Sequence, residues 1–87
     1  MSSTRYLRAA GDEVAIRVAT ADDAPTLRRL AVLAEALPLT GEVLLATVDG
    51  EAWAAMSLTD GRAIADPLRP TASVRAMLAL RRENLAA

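Results

Sequence analysis

The chain has 87 residues, with 11 acidic and 10 basic side chains, so its formal net charge is -1. This length suits one domain with a small core. The absence of Cys and His excludes a disulfide framework and a thiolate nucleophile, and it removes the usual general base and metal ligand. Every basic side chain is an arginine, and acids balance them along the chain, so a nucleic-acid partner is not expected.

Composition also indicates the location of the protein and whether it associates with other chains. No segment approaches the roughly 20 apolar residues that span a bilayer, and no apolar run follows Arg5 and Arg8, so we expect a cytoplasmic protein without membrane partner or signal peptide. The Ala and Arg bias without Lys is typical of a GC-rich, bacterial genome. Small aliphatic side chains must build the core, and burial is worth roughly 25 cal/mol per Å². A thin core of this kind favours self-association or a protein partner.

The first elements are a tail, a strand and a helix. Residues 1–12 lack periodicity and are predicted to be a flexible tail before a single domain at 13–87. Val14–Val18 alternates as a half-buried strand does. A helix follows, with Thr20 and Asp23 resembling a capping box, or with Asp22 as the cap if Pro25 lies in the first turn. Pro38 is predicted to end this helix. Its apolar face is predicted to hold Leu27, Leu30, Leu33, Ala34 and Leu37.

Two Asp-Gly pairs, Asp49-Gly50 and Asp60-Gly61, predict tight turns in a three-stranded meander at 42–48, 51–58 and 62–65. A tight first turn would place Ala46 opposite Trp53. Trp53 could form a pocket wall or a binding hot spot, or simply pack in the core. Both faces of the meander are apolar, so both need a cover. One predicted face supplies candidates for a dimer interface: Leu44, Ala46, Trp53, Ala55 and Ile64.

The last element is a helix from about Thr71, predicted to bury Val74, Met77, Leu78 and Leu85 on one side. The order is therefore β-α-β-β-β-α. This order predicts an α+β fold with one mostly antiparallel sheet, which contains the meander and is flanked by two helices. No internal repeat or low-complexity linker interrupts it.

Three stretches in this order resemble a known family. They are "IRVATADDAPTLRRL", the hairpin "VLLATVDGEAWAAMSL", and "RPTASV" followed by "RAML". Together they resemble the N-terminal half of the GNAT N-acetyltransferase superfamily, over about residues 14–80. The resemblance implies a truncated GNAT-like fold and a loop that holds the pyrophosphate of acetyl-CoA at a helix start. The matching positions are Arg69, Thr71, Ala72, Ser73, Val74 and Arg75.

The same loop departs from the family pattern. Ala72 and Val74 stand where glycines let the backbone approach phosphates, and Pro70 has no N–H to donate. These residues favour an ordinary capped helix start, with Thr71 or Ser73 as the cap, over an anion site, because helix starts need such caps in any case. The family's later acceptor-side strands have no counterpart here. Three acids are further candidates for catalysis. Asp66 could act as a base but could instead form a turn, and the other two are the strand-end glutamates Glu42 and Glu51.

The sequence therefore favours a non-catalytic interaction module that acts as a homodimer or with a protein partner. It assigns no catalytic residue, no metal site and no cofactor. The alternative is a minimal acetyl-CoA-binding protein or N-acetyltransferase that a partner chain completes. A third possibility is a degenerate remnant with a structural role only.

Overall fold

The computed structural model describes residues 13–86, and the tail predicted for residues 1–12 lies outside them. Four strands and two helices follow each other in the predicted order, so the β-α-β-β-β-α arrangement and the α+β class are confirmed. The elements are β1 (Val14–Val18), α1 (Ala24–Leu33), β2 (Val43–Val48), β3 (Glu51–Ser57), β4 (Ala63–Ala65) and α2 (Ala72–Ala86). A single 3-10 turn (Ala21–Asp23) leads into α1.

All four strands form one antiparallel sheet in the order β1-β2-β3-β4. The first turn is as predicted, because Asp49 and Gly50 have φ angles of 52° and 87°, as a type I′ turn requires. The second turn is longer than predicted: β3 ends at Ser57 and β4 begins at Ala63. Within this loop the Ser57 hydroxyl accepts the backbone N–H groups of Thr59 and Asp60, at 3.1 and 3.3 Å. These bonds stabilise a wider loop than the two-residue turn.

A β-bulge at Trp53 shifts the register of the hairpin. Ala46 lies opposite Ala54 and Thr47 lies opposite Ala52, so Trp53 is the extra residue of β3. The predicted pairing of Ala46 with Trp53 is therefore wrong. Because side chains alternate between faces, one inserted residue changes which side chains of β3 share a face with those of β2.

The bulge also separates the five residues that were predicted to share one face. Three of them, Leu44, Ala46 and Trp53, belong to the layer between the sheet and α2. The other two, Ala55 and Ile64, belong to the layer between the sheet and α1. The prediction of one common face is wrong for this set. Four of the side chains are buried inside the chain itself, and only Trp53 is partly exposed.

Each face of the sheet has its own small core, so both apolar faces are covered as predicted. The layer under α2 is built from Leu44, Ala46, Val48, Ala54, Met56, Val74 and Leu78. The layer under α1 is built from Leu30, Ala31, Val43, Leu45, Ala55 and Ile64. The side chains are almost all small and aliphatic, so neither layer is thick.

Helix α1 ends earlier than Pro38, the predicted stop. Glu35 adopts a left-handed conformation with φ 53°, and its N–H donates to Val32 at 3.1 Å. The next N–H, from Ala36, donates to Ala31 at 3.0 Å. These two bonds form a Schellman motif, which terminates a helix. Leu37 consequently lies beyond the helix and is 78% exposed, so its predicted place on the apolar face is wrong.

Helix α2 buries a narrower stripe than predicted. Val74 and Leu78 are buried, whereas Met77 is 41% exposed and Leu85 is 55% exposed. Val74 and Leu78 are one turn apart and point at the same part of the sheet. Met77 faces the flank near Ile16, and Leu85 lies near Val18. In the part of the chain that the structure describes, neither helix has the length and apolarity needed to cross a bilayer.

Candidate functional site

The loop between β4 and α2, together with the first turn of α2, contains the residues that were predicted to bind a ligand. Its first residue, Asp66, is nearly buried and uses one carboxylate oxygen to accept the N–H of Leu68 at 2.9 Å. The carbonyl of Asp66 also accepts the N–H of Arg69 at 3.2 Å. Asp66 is therefore a turn former here, as one of its two interpretations proposed.

Arg69 is engaged by acidic and aromatic side chains of the chain itself. Its Nη2 lies 2.7 Å from Oε1 of Glu51, and its Nε lies 3.8 Å from Oδ2 of Asp66. The guanidinium carbon also lies 5.3 Å from the centre of the Trp53 ring, within cation–π distance. Two carboxylates thus neutralise the charge that an anionic ligand would need.

The remaining predicted loop residues divide between the core and the surface. The carbonyl of Thr71 accepts the N–H of Arg75 at 2.8 Å, which begins the α2 hydrogen-bond ladder at Thr71. Thr71 and Val74 are buried, and Val74 packs beside Leu78 in the layer under α2. Ala72, Ser73 and Arg75 are exposed. Of the six residues, Ser73 and Val74 line the same cavity.

A cavity of about 260 Å³ lies beside the start of α2. Its lining residues are Val14, Val48, Trp53, Pro70, Ser73 and Val74. Within residues 13–86 the indole Nε1 of Trp53 is buried and has no hydrogen-bond partner. An unpartnered buried N–H is costly, so an acceptor at this position would stabilise the protein. This cavity is therefore a candidate small-molecule site.

The other acidic candidates have structural positions. Glu51 forms the ion pair with Arg69, and Glu42 is exposed just before β2. A third acid, Asp23, was predicted only as part of a helix cap. Its carboxylate binds the Arg17 guanidinium at 2.7 and 2.9 Å and accepts the N–H of Thr20 at 2.7 Å. The hydrogen bonds from Arg17 and the Thr20 backbone hold the pKa of Asp23 well below its usual range.

Among residues 13–86, the two edge strands of the sheet are β1 and β4, and the outer side of β4 is open. The Arg62 carbonyl accepts from Ser57, and the Asp66 N–H donates to Trp53, at 2.8 Å each. In an antiparallel ladder, alternate residues direct both backbone groups at the neighbouring strand. Arg62, Ile64 and Asp66 therefore face β3, while Ala63 and Ala65 direct their N–H and C=O groups away from it. No strand among the described residues pairs with that side of β4.

Three exposed apolar residues lie on the elements next to this edge. Val32 in α1 is 76% exposed, Leu37 is 78% exposed, and Leu68 in the turn after β4 is 83% exposed. They are the most exposed large apolar side chains in residues 13–86. The Arg62 guanidinium donates to the Pro38 carbonyl at 2.8 Å and so ties the segment after α1 to the start of β4. The sequence did not indicate that Leu37 is exposed, because its spacing continues the apolar pattern of α1.

The chain matches no protein-family model, no curated protein and no solved structure.

Proposed function

We propose that this protein is a non-catalytic interaction module that assembles with a second copy of itself. The open β4 edge, together with the exposed apolar residues on neighbouring elements, carries the proposal. An exposed strand edge is a template for pairing with another chain unless it is blunted by charge, proline or a cover. Ala63, Ile64 and Ala65 carry no charge and no proline, and the short length of β4, three residues, is the one feature that limits pairing along this edge.

The acidic side chains support a non-catalytic role. Asp66 holds its own turn, Glu51 holds Arg69, and Asp23 holds Arg17. A carboxylate can act as a general base only when it can reach and accept a proton of the substrate. These three carboxylates instead have hydrogen-bond or ion-pair partners in the fold, so their removal should change stability more than any chemistry.

The alternative function is binding of acetyl-CoA by a truncated GNAT-like fold. The cavity at the start of α2 favours it, because the unpartnered Trp53 Nε1 lies on a residue that lines this space. Against it stand the two carboxylates beside Arg69 and the missing N–H of Pro70. The order of the elements is compatible with this alternative and with the leading proposal alike.

Two measurements on the intact protein separate the functions. Light scattering at tens of micromolar should give twice the mass of one chain, and the mass of a single chain would contradict self-association. Thermal unfolding with excess acetyl-CoA should leave the midpoint unchanged, with coenzyme A as the control. A rise of the midpoint would contradict the leading proposal, since a ligand of the native state must stabilise it.

A further inference from the structure

We propose that two copies pair through their β4 strands, antiparallel, about a two-fold axis at Ile64. This inference rests on the proposed self-association and specifies its surface and register. The two four-stranded sheets would continue into each other across the axis. A closed two-fold pairing of this kind uses the same strand on both copies and leaves neither β4 edge open.

The backbone of β4 fits this register. Ala63 and Ala65 direct their free N–H and C=O groups outward, as the ladder with β3 requires. With the axis at Ile64, Ala63 of one copy lies opposite Ala65 of the other. Each such pair exchanges two hydrogen bonds, and both pairs form at once. The alanine side chains are small enough not to hinder the approach.

The charges that flank β4 are complementary in the same register. Counting outward from Ile64, Arg62 of one copy lies opposite Asp66 of the other, and the axis repeats the pair. Directly opposed opposite charges stabilise an antiparallel pair. Arg62 is exposed, and its guanidinium donates to Pro38 through Nη2. Asp66 is nearly buried and accepts the Leu68 N–H through Oδ1, so Arg62 of the second copy would share its Oδ2 with Arg69. A shift of the register by two residues would lose this match.

Helix α1 lies on the face of the sheet that Ile64 enters, and it packs across β3 and β4. Pairing of the β4 strands about this axis keeps the two α1 helices on the same face of the continuous sheet, one on each side of the axis.

Two of the exposed leucines lie at the two ends of β4. Leu37 belongs to the segment that Arg62 ties to the start of β4, and Leu68 belongs to the turn that follows its end. An antiparallel two-fold brings the end of one β4 beside the start of the other. The turn with Leu68 then lies at the same end of the paired strands as the segment with Leu37 of the second copy.

A single cysteine tests the register, since the chain has none of its own. Ile64→Cys places a thiol on the axis, where non-hydrogen-bonded partners have Cα atoms about 4.5 Å apart, close enough for a disulfide. Mild oxidation should give a cross-linked dimer that a reductant reverses. Val18→Cys is the control, because Val18 is 43% exposed and lies on β1, at the other edge of the sheet. This variant should stay uncross-linked. Equal cross-linking of both variants would overturn the inference.

A proline tests the same edge without changing Ile64. Ala65→Pro removes an outward N–H but no hydrogen bond to β3, whereas Ala65→Ser keeps the N–H. Far-UV circular dichroism should show both variants folded, with the proline variant reduced to a single-chain mass in light scattering and the serine variant unchanged. A folded proline variant that stays dimeric would overturn the β4 pairing and leave self-association standing. A monomeric wild-type protein would overturn both.

Discussion

Arg17 holds both carboxylate oxygens of Asp23, at 2.7 and 2.9 Å, and so ties β1 to the 3-10 turn that leads into α1. The Thr20 N–H donates to the same carboxylate, which is the back-bond expected of a capping box. The sequence predicted this cap but not the arginine. Because Arg17 lies on β1, the cap also fixes how the chain leaves the sheet.

This pair predicts a specific pH dependence of stability. The pKa of Asp23 is lowered in the folded protein by Arg17 and Thr20, so its stabilising effect is full above the unfolded pKa of about 3.9. The effect is lost as the pH falls towards the lower folded value. Asp23→Asn should therefore unfold at a lower temperature than wild type at pH 7, and the difference should shrink below about pH 4.

Asp22→Asn is the matched control, because Asp22 is the exposed neighbour of Asp23. Thermal unfolding followed by circular dichroism across the pH range measures all three proteins. A constant difference between wild type and Asp23→Asn at every pH would show that the ionised carboxylate does not stabilise the fold.

The end of α1 predicts a stabilising substitution. Glu35 has φ 53°, which costs a residue with a side chain about 1–2 kcal/mol and costs glycine little. Part of this gain is offset by the greater freedom of glycine in the unfolded chain. Glu35→Gly should therefore raise the free energy of unfolding by about 0.5–1 kcal/mol, measured by urea titration.

Ala36→Gly is the control at the next position, where φ is not positive. It should lower the free energy of unfolding, because only the cost of extra freedom remains. If both glycines destabilise the protein equally, the Schellman motif at Glu35 does not form in solution.

Contact between Arg69 and Trp53 predicts a change in fluorescence. Trp53 is the one tryptophan of the chain, so its emission reports this contact without interference. Arg69→Ala uncovers the ring face and leaves Glu51 without its partner, so the emission should shift to longer wavelength. Stability should fall by about 0.5–1 kcal/mol, the worth of an exposed cation–π contact.

Arg75→Ala removes an exposed arginine of the same helix start and is the control. Its emission maximum should match that of wild type. A spectrum of Arg69→Ala that coincides with both would show that the guanidinium does not cover Trp53 in solution.

The spacing of apolar residues and the residues typical of tight turns allowed much of the fold to be predicted from the sequence. Alternation in Val14–Val18 located β1, and the Asp49-Gly50 pair located the first hairpin, because both signals are local. The bulge at Trp53 could not be read in this way. Nothing in "EAWAA" distinguishes a regular strand from a bulged one, and the difference reverses which side chains share a face.

The candidate surface was harder to predict than the fold. The sequence suggested an open edge, but the interface residues chosen for it are mostly core residues, because apolar character marks both kinds of position. The residue at which α1 ends decides whether Leu37 is buried or exposed. A left-handed Glu35 is unusual at a position where glycine is the common residue, so Leu37 could not be recognised as exposed.

Amide hydrogen exchange at Ala63 and Ala65 tests the β4 pairing most directly. In a single chain both N–H groups point away from β3 and should exchange quickly, whereas in the paired dimer they donate to the second copy. Both amides should become protected as the protein concentration rises from micromolar to hundreds of micromolar. Rapid exchange of both amides in a sample whose scattering mass is that of a dimer would contradict the β4 pairing.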